Sequence, residues 1–388
     1  MTGRTAATFS PPVMEARRWL DGHDFSDLPL LNVSQAAPVE APPAPLITAM
    51  AAALNEPGTH LYGPVLGLDG LRREVAKQWS ASYGGDLIAD QVGITSGCNQ
   101  AFSAAISVLC SEGDAVIIPT PFYFNHKMWL DMQGVTATAL PCSGDMLPDV
   151  ATAEALITGK TRAISLITPN NPCGVEYPIA LMEAFFDLCA RHGIALIVDE
   201  TYRDFHSQTG APHTLFQRAD WDQTLIHLYS FSKAYRLTGH RVGAIVTSVD
   251  RMEGVEKFLD TISVCPNQLG QKAALWGMQN LGEWLSGERD EILSRRDTIE
   301  DNFAKVAAKG WKLLGCGAYF AYVEHPFDMS SADLAPVLVE QASILTLPGT
   351  FFMPFDDPAG QKQLRIAFAN INSTQIAELF DRLAALDL

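Results

Sequence analysis

Residues 194–202 have the sequence Ile-Ala-Leu-Ile-Val-Asp-Glu-Thr-Tyr. The apolar run Ile194–Val198, which ends at the carboxylate of Asp199, is typical of a strand buried on both faces of a parallel sheet. Similar runs occur along the chain at Ala115–Ile118, Ala163–Ile167, Thr224–Leu228 and Val242–Val246. Because helical stretches such as Ile179–His192 alternate with these runs, we expect an α/β fold with a large domain whose mostly parallel sheet is flanked by helices.

The last third of the chain has a different pattern. Long helical segments, Gly270–Asn280 and Gly282 to about Ala308, precede two short strand-like runs, Tyr319–Val323 and Leu364–Ala369. This pattern predicts a smaller α+β domain. For a chain of 388 residues we expect an N-terminal arm with part of the small domain in 1–44, a large domain in 45–270 and a small C-terminal domain in 271–388.

Composition excludes several classes of protein. Hydrophobic residues make up 47% of the chain and charged residues 18%, which argues against a disordered chain. A net charge of −17 makes nucleic acid or an anionic membrane an improbable partner. The seven cysteines form no CxxC pair and the histidines are dispersed, so we expect reduced thiols in the cytoplasm and no metal site. No apolar run approaches the length of a membrane span.

Polar residues follow three of the predicted strands where each strand ends. They are Thr168–Gly174 (TPNNPCG), Asp199–Tyr202 (DETY) and Tyr229–Lys233 (YSFSK). The carboxyl ends of neighbouring parallel strands meet at one edge of a sheet, where ligands bind. The sequence therefore predicts that these residues converge on one pocket.

Three of these residues have side chains suited to catalysis, and each also has an ordinary structural interpretation. Lys233 could form a Schiff base if its amine is desolvated, or it could be an exposed loop lysine. Asp199 could pair with a protonated ring nitrogen, or it could cap a helix. Tyr202 could face the same pocket or simply pack.

Candidate anion-binding residues lie elsewhere in the chain. The Gly97-Cys98-Asn99 turn follows the strand-like Val92–Thr95 and opens a helix, so its backbone N–H groups could bind a phosphate. Arg241, within an apolar strand start, needs either a phosphate or a salt bridge. Arg365, among core-facing neighbours, needs either a substrate carboxylate or a buried ion pair.

Several motifs together closely resemble the class I/II aminotransferases, which are pyridoxal-phosphate-dependent enzymes of fold type I similar to aspartate aminotransferase. The longest is SFSKAYRLTGHRVGAIV at Ser230–Val246. The others are NNPCG at Asn170–Gly174, Asp199–Tyr202, the segment from Tyr62-Gly-Pro to Leu71-Arg72, Leu347-Pro-Gly-Thr with Phe352, and Leu364-Arg-Ile366. The resemblance covers about residues 30–370.

The resemblance implies a role for each matching residue. Lys233 would form the Schiff base with pyridoxal 5′-phosphate, Asp199 would pair with the pyridine nitrogen, and Asn171 and Tyr202 would hydrogen-bond the phenolic oxygen. Tyr123 would stack on the ring. The phosphate would be held by Gly97, Cys98, Asn99, Ser230, Ser232 and Arg241, with Tyr62 from the other subunit of a homodimer. The substrate carboxylate would bind Arg365, Asn171 and the backbone at Ala36, where the family often has glycine; Cys98 also stands where a glycine or alanine is common.

The implied activity is ping-pong transfer of an amino group from an amino acid to a 2-oxo acid, with Lys233 as general base. The same residues also suit a C–S lyase or another β- or γ-elimination enzyme of this fold. The effector domain of a transcription regulator is a further alternative, but the net charge of −17 and the roughly 30 residues before the match disfavour it.

The substrate side chain stays open at this stage. A dicarboxylate needs a second cation, for which the candidates are Arg17, Arg18, Lys127 and Arg236. An aromatic substrate needs an apolar wall, for which the candidates are Phe122, Phe124, Phe351 and Phe352.

Overall fold

The computed structural model of the protein describes residues 3–355 and 357–388. The α-helices are α1 Pro12–Arg18, α2 Ala44–Ala53, α3 Asp69–Tyr83, α4 Cys98–Leu109, α5 Phe124–Gln133, α6 Val150–Leu156, α7 Ile179–His192, α8 Trp221–Thr224, α9 Phe231–Ala234, α10 Val249–Ser263, α11 Gln268–Asn280, α12 Gly282–Ala307, α13 Ser331–Ala342 and α14 Ser373–Ala385. The strands are β1 Leu31–Asn32, β2 Val92–Thr95, β3 Ala115–Thr120, β4 Thr136–Pro141, β5 Thr161–Ile167, β6 Ala195–Asp199, β7 Leu225–Ser230, β8 Gly243–Val246, β9 Lys312–Gly317, β10 Phe320–Glu324, β11 Ile344–Leu345, β12 Leu347–Pro348 and β13 Gln363–Ala367.

A seven-stranded sheet forms the centre of the large lobe, in the order β2-β8-β7-β6-β5-β3-β4. The pairs from β7 through β4 are parallel, whereas β8 runs antiparallel to both of its neighbours. The predicted α/β fold with a mostly parallel sheet is confirmed. The edge strand β4 was not predicted, because its partly exposed sequence TATALP lacks the continuous apolar pattern of the central strands.

The apolar run in β6 is explained by burial on both faces of the sheet. Leu196 and Val198 pack into a core shared with α3, α7 and α11. Ala195 and Ile197 point to the opposite face and pack with α4 and α10. Because successive side chains of a strand alternate between faces, a strand covered on both sides requires an apolar residue at every position.

A second, four-stranded sheet is formed by the C-terminal part of the chain, in the order β12-β13-β10-β9. Its strands are antiparallel, and its core includes Phe320 and Ile366 together with side chains of α12 and α14. The rings of Phe303 and Phe380 join these two helices at 5.9 Å between centroids. The N-terminal strand β1 pairs in parallel with β11, so the start of the chain is anchored beside this C-terminal lobe.

An apolar cluster joins the two lobes next to the carboxyl edge of the large sheet. It contains Ala16 from α1, Phe124 from α5, Tyr322 from β10 and Phe352. Val13 packs against the same cluster. Helix α1 is therefore positioned where both lobes meet.

The domain division into 1–44, 45–270 and 271–388 stays a prediction. Within the described residues, α11 buries Ala273, Ala274 and Met278 in the core of the large lobe, although most of this helix lies beyond the predicted boundary at 270. The C-terminal sheet and its helices α12 and α14 have a separate core.

All seven cysteines lie in the described part of the chain and are free. Among the described residues, no helix combines the length and the apolar character needed to cross a bilayer.

Candidate active site

A cavity of about 330 Å³ opens at the carboxyl ends of β5, β6 and β7. Its lining brings together most of the residues that the sequence singled out: Ala36, Cys98, Asn99, Tyr123, Asn171, Asp199, Tyr202, Ser230, Ser232, Lys233, Arg241 and Arg365. Gly97 and Tyr62 are not part of this lining. The prediction that the polar strand ends converge on one pocket is confirmed.

Lys233 lies in the short helix α9, directly after β7. Its Nζ donates a hydrogen bond of 2.6 Å to the carbonyl oxygen of Ala36, so it is not the exposed loop lysine of the structural alternative. Burial, followed by the positive charges of Arg241 and Arg365, lowers the pKa of Lys233 to about 8. A substantial fraction of the amine is therefore neutral near physiological pH, as a nucleophile or base requires.

Asp199 is the last residue of β6 and is almost completely buried. Its Oδ1 accepts a hydrogen bond of 2.9 Å from the backbone N–H of Thr201, and its Oδ2 lies 3.4 Å from Nε2 of His126. Burial alone raises the pKa of Asp199, but His126 and Thr201 outweigh it and hold the pKa below its ordinary value. The cavity therefore contains a carboxylate at the end of the central strand that is ionised at neutral pH.

His126 was missed by the sequence reasoning. It lies on α5, and its ring stacks on Phe102 of α4 with 3.7 Å between centroids and 8° between planes. This stacking holds the imidazole of His126 next to the carboxylate of Asp199. No local pattern in the sequence marks the residue, because its partners are 24 positions before it and 73 positions after it.

The turn at Gly97 provides room for Arg241. Gly97 has φ +84° and is the N-cap of α4, and a Cβ at this position would lie 2.3 Å from Nη2 of Arg241. A Cβ on Gly243 would lie 2.6 Å from the carbonyl carbon of Gly97. Gly97 does not line the cavity itself, but the two glycines allow the helix start and the arginine to approach each other.

Arg241 is not inside the apolar strand, contrary to the expectation. It is exposed, has φ +53° and precedes β8, because the short turn before the strand directs its backbone outward. Its Nη1 donates a hydrogen bond of 3.1 Å to the carbonyl oxygen of Thr238. Within the described ranges it has no carboxylate partner, so the salt-bridge alternative is wrong and the guanidinium is available to an anion.

Two serines lie beside Arg241 in the lining of the cavity. The Oγ of Ser230 caps α9 by accepting a hydrogen bond of 3.3 Å from the backbone N–H of Ser232. The Oγ of Ser232 is buried and has no hydrogen-bond partner among the residues described. Since buried hydroxyl groups are normally paired, Ser232 is suited to bind a polar ligand atom.

Arg365 is a buried cation on β13, with 2% of its surface exposed. Its Nη1 donates to Oδ1 of Asn171 at 2.9 Å, and its Nη2 donates to the carbonyl oxygen of Ser34. In the described part of the chain its Nε has no partner and no carboxylate pairs with it, so the buried ion pair is wrong. Burial lowers the pKa of Arg365 to about 10, and the residue remains charged at neutral pH and requires an anion.

Tyr123, Asn171 and Tyr202 complete the walls of the cavity. The hydroxyl of Tyr123 accepts a hydrogen bond of 3.0 Å from Asn125. The ring of Tyr202 packs edge-on against Phe320 at 5.2 Å. Each ring is therefore fixed in place, as a surface against which a planar ligand could bind.

Tyr62 lies away from the cavity and is 85% exposed. It lines a separate surface depression with Leu61 and Pro266. The structure contains one chain, and the expectation that Tyr62 reaches the site of another subunit stays a prediction.

A buried cluster of hydrogen-bonded side chains surrounds Glu200, the residue that follows the last residue of β6. Glu200 accepts hydrogen bonds from the hydroxyl of Tyr83 and, at 2.7 Å, from Nε2 of His227, and Nε2 of His213 lies 3.6 Å away. The Nδ1 atoms of His213 and His227 accept N–H donors from Leu215 and Trp79. This arrangement leaves the proton of each ring on Nε2, directed at Glu200, so the cluster is a hydrogen-bonded anchor for the residue next to Asp199. The histidines that looked dispersed in the sequence meet here.

The cavity residues fit the cofactor that the sequence resemblance implies. A ring nitrogen, an aldehyde and a phosphate need a carboxylate, an amine and several donors. Asp199 and Lys233 supply the first two. The start of α4, the unpaired Ser232 and Arg241 supply donors for an anion.

Comparison with known proteins agrees with this chemistry. The profile of the family described as aminotransferase class I and II matches residues 29–383. The chain belongs to this family. Its members are generally dependent on pyridoxal phosphate, and the protein is an aminotransferase, as predicted; the elimination alternative is not favoured.

Similar proteins have related activities. An arginine–pyruvate transaminase of Pseudomonas aeruginosa is 29% identical over 84% of this chain and 83% of its own length. An aromatic aminotransferase of Arabidopsis thaliana is 27% identical over 76% of this chain and 75% of its own. A structure of Thermus thermophilus aspartate aminotransferase shares the fold with a TM-score of 0.87 at 22% identity, covering 99% of each chain.

The close approach at Gly243 predicts a selective loss of cofactor binding. In Gly243→Ala the new Cβ displaces the Gly97 turn, a cost of about 1–3 kcal/mol, so we expect the affinity for pyridoxal phosphate to fall about 10-fold or more. Titration of the apoenzyme by fluorescence measures this. Gly239→Ala is the matched control, because no atom lies within 4 Å of its added Cβ; equal losses in both variants would contradict the argument.

The low pKa of Lys233 predicts the pH dependence of its reactivity in the apoenzyme. Because the pKa lies near 8, below the ordinary value of about 10.4, the neutral amine becomes available as pH rises through 8. Competitive acetylation followed by peptide mass spectrometry should give a midpoint near that pH. The urea-unfolded chain is the control, and an identical midpoint in folded and unfolded chains would rule out the shift.

Proposed function

We propose that this aminotransferase binds pyridoxal 5′-phosphate in the cavity at Lys233 and moves the amino group of an amino acid to a 2-oxo acid in two half-reactions. The observation that carries the proposal is the combination of three groups in one cavity. They are an amine with a lowered pKa at Lys233, an ionised carboxylate at Asp199 and a guanidinium at Arg365 that has no carboxylate partner among the described residues. An amine, a carboxylate and a cation for the substrate are the groups that transamination needs.

The phosphate is expected at the Arg241 end of the cavity. The backbone N–H groups of Cys98 and Asn99 open α4, whose N-terminus favours an anion. The N–H of Gly97, which the resemblance also assigned to the phosphate, donates to the carbonyl oxygen of Thr95 at 2.9 Å. Arg241 adds a guanidinium without a carboxylate partner among the described residues, and charge-assisted hydrogen bonds of this kind are the stronger class. Ser230 and Ser232 would contribute hydroxyl groups.

The ring is expected between these donors and Asp199. Tyr123 would stack on its face, and Asn171 and Tyr202 would donate to the phenolic oxygen. Asp199 would hold a proton on the ring nitrogen, because a buried carboxylate with a low pKa favours a cation beside it. When bound, the cofactor supplies an electron sink for the charge that develops at the substrate Cα.

Lys233 moves the proton in the proposed reaction. With the cofactor and an amino acid bound, the free Nζ of Lys233 would accept the proton from the substrate Cα and would later donate it back. The pKa of about 8 is close to the working pH, which suits a general base. The hydrogen bond from Nζ to the carbonyl oxygen of Ala36 supports this role, because Ala36 is proposed to lie beside the substrate carboxylate.

Arg365 would bind the substrate α-carboxylate, assisted by Asn171 and by the backbone at Ala36. The guanidinium is held on two sides by Asn171 and Ser34. Its fork can bind a carboxylate through two parallel hydrogen bonds. Because the group is buried and the described residues offer it no anion, the substrate would satisfy its charge.

We also propose a homodimer in which Tyr62 reaches the phosphate of the partner's site. Tyr62 belongs to an exposed apolar surface with Leu54, Leu61, Ile262 and Val264, whose exposed fractions range from 44% to 85%. Exposed apolar patches of this kind mark interfaces. The cytoplasmic location expected from the free cysteines stays a prediction.

One experiment can test both the transfer of the amino group and the assignment of Lys233 as the residue that carries the cofactor. Borohydride treatment of the loaded enzyme should place the cofactor mass on Lys233, and ¹⁵N from an amino donor should appear in the amino acid formed from a 2-oxo acid. Lys233→Ala should lose both results, whereas Lys257→Ala, which changes an exposed lysine of α10, should keep them. Release of ¹⁵N as ammonia, with no labelled amino acid, would favour elimination instead.

The shared site can be tested with hybrid dimers. Tyr62→Ala and Lys233→Ala subunits are each expected to have little activity, whereas a mixture should regain part of it, because one site of each hybrid then has both native residues. Circular dichroism and native mass spectrometry verify folding and subunit exchange. A proven heterodimer without recovered activity would contradict the contribution of Tyr62.

A further inference from the structure

The cavity has few charged residues. In the proposed function each of them interacts with one group of the cofactor or of the substrate. Within the described lining, the charged side chains are those of Asp199, Lys233, Arg241 and Arg365. The ring nitrogen, the cofactor carbonyl, the phosphate and the α-carboxylate account for them. A substrate with a second charged group would find no opposite charge left in the lining of one described chain, and Tyr62, proposed to come from the partner subunit, is also uncharged.

The remaining lining is uncharged. Apart from the residues already given a role, it consists of Val13, Gln35, Ala37, Phe124, Asn125, Ile167, Thr201 and Thr238. The ring of Phe124 lies 6.0 Å from Cζ of Arg365, and Val13 packs against the apolar cluster that contains Phe124 and Phe352. Gln35 precedes Ala36, whose carbonyl receives the Lys233 hydrogen bond. Val13, Gln35 and Phe124 therefore border the substrate end of the cavity.

Three of the cations that the sequence offered for the side-chain carboxylate of a dicarboxylate substrate lie near carboxylates of the protein instead. Lys127 pairs with Asp131, and Arg236 makes a two-pronged pair with Glu288 at 2.8 Å for each nitrogen. Arg18 lies 4.0 Å from Glu15 and is exposed. None of these three lines the cavity in the described part of the chain.

Arg17 contacts a residue of the cavity lining. It does not line the cavity, and its Nη2 donates a hydrogen bond of 2.8 Å to Oε1 of Gln35. This bond orients Gln35 so that the N–H groups of its amide, rather than a charge, remain for the cavity. The side-chain end of the site is thus closed by apolar groups and one neutral amide.

We propose, building on the function proposed above, that the enzyme selects amino acids and 2-oxo acids with uncharged side chains in both half-reactions, and that Val13 and Gln35 determine this selectivity. A dicarboxylate such as glutamate or 2-oxoglutarate would bury a carboxylate without a partner, which is costly. A substrate such as lysine would bury a positively charged ammonium group without an anionic partner, which is also costly. The amino acceptor is accordingly a monocarboxylic 2-oxo acid of the pyruvate type.

Isosteric substrate pairs test the proposal directly. In single-turnover reactions of the holoenzyme, we compare the 2-oxo product formed per site from glutamine and glutamate, and from norleucine and lysine. The neutral member of each pair should react about 10-fold faster or more at low concentration. Glutamate equal to or faster than glutamine would overturn the proposal, whereas failure of every amino acid, including alanine, methionine and phenylalanine, would contradict the transamination itself.

A binding measurement separates recognition from chemistry. Calorimetric titration of the holoenzyme with pentanoate and with glutarate compares ligands of equal length that differ by one carboxylate. Tighter binding of pentanoate supports an uncharged site. Tighter binding of glutarate that is lost in Arg17→Met would identify Arg17 as a distal cation and overturn the proposal.

Substitution of Val13 tests where the selectivity arises. Val13→Lys should raise the glutamate-to-glutamine ratio about 10-fold, because a charge-assisted pair becomes available. Val13→Ala is the control and should keep the order of the wild type. If Val13→Lys binds cofactor normally and leaves the ratio unchanged, Val13 does not face the substrate side chain and its assignment fails.

Discussion

The constraint on which the site depends is a carboxylate kept ionised inside the protein. Asp199 is buried at the end of β6, where desolvation opposes its charge. Two neighbours offset this cost of desolvation. Nε2 of His126 on α5 lies 3.4 Å from Oδ2 of Asp199, and the backbone N–H of Thr201 donates a hydrogen bond of 2.9 Å to Oδ1. Behind it, Glu200 joins β6 to Tyr83 of α3 and His227 of β7. The central strand is thus fixed at its functional end by hydrogen bonds from three other elements.

The elements that sequence predicts well are those buried on both sides. Such strands, like β6, require apolar residues throughout and are recognised from one short window. Strands β4 and β9 were missed because their partly exposed residues weaken that pattern, and the two-residue β12 is too short to have one. Motif resemblance located the lysine, aspartate and arginines, but the exposed position of Arg241 depends on a turn with positive φ that the motif does not encode. His126 depends on contacts far away in the chain and has no local signal.

The two lobes share the proposed substrate site. Arg365 comes from the small sheet, whereas Asn171, its hydrogen-bond partner, follows a strand of the large one. Phe320 and Phe352 place their rings about 5 Å from the guanidinium carbon. This aromatic surround excludes water from the cation, and in a less polar environment a carboxylate is bound more strongly. The position of one lobe against the other therefore sets the strength of this interaction.

The segment from Ser34 to Ala37 is held by two residues that are proposed to act on ligands, Lys233 and Arg365, and by Asn370. Lys233 binds the carbonyl oxygen of Ala36, Arg365 binds that of Ser34, and Asn370 binds both Gln35 and Ala37. The functional lysine and arginine thus also act as structural cross-links of this segment. A cofactor that engages Lys233 must first break such a link, so its net binding energy is smaller than its contacts alone would give. Part of the free energy of cofactor binding is therefore offset by the loss of the hydrogen bond that Lys233 makes to the Ser34–Ala37 segment.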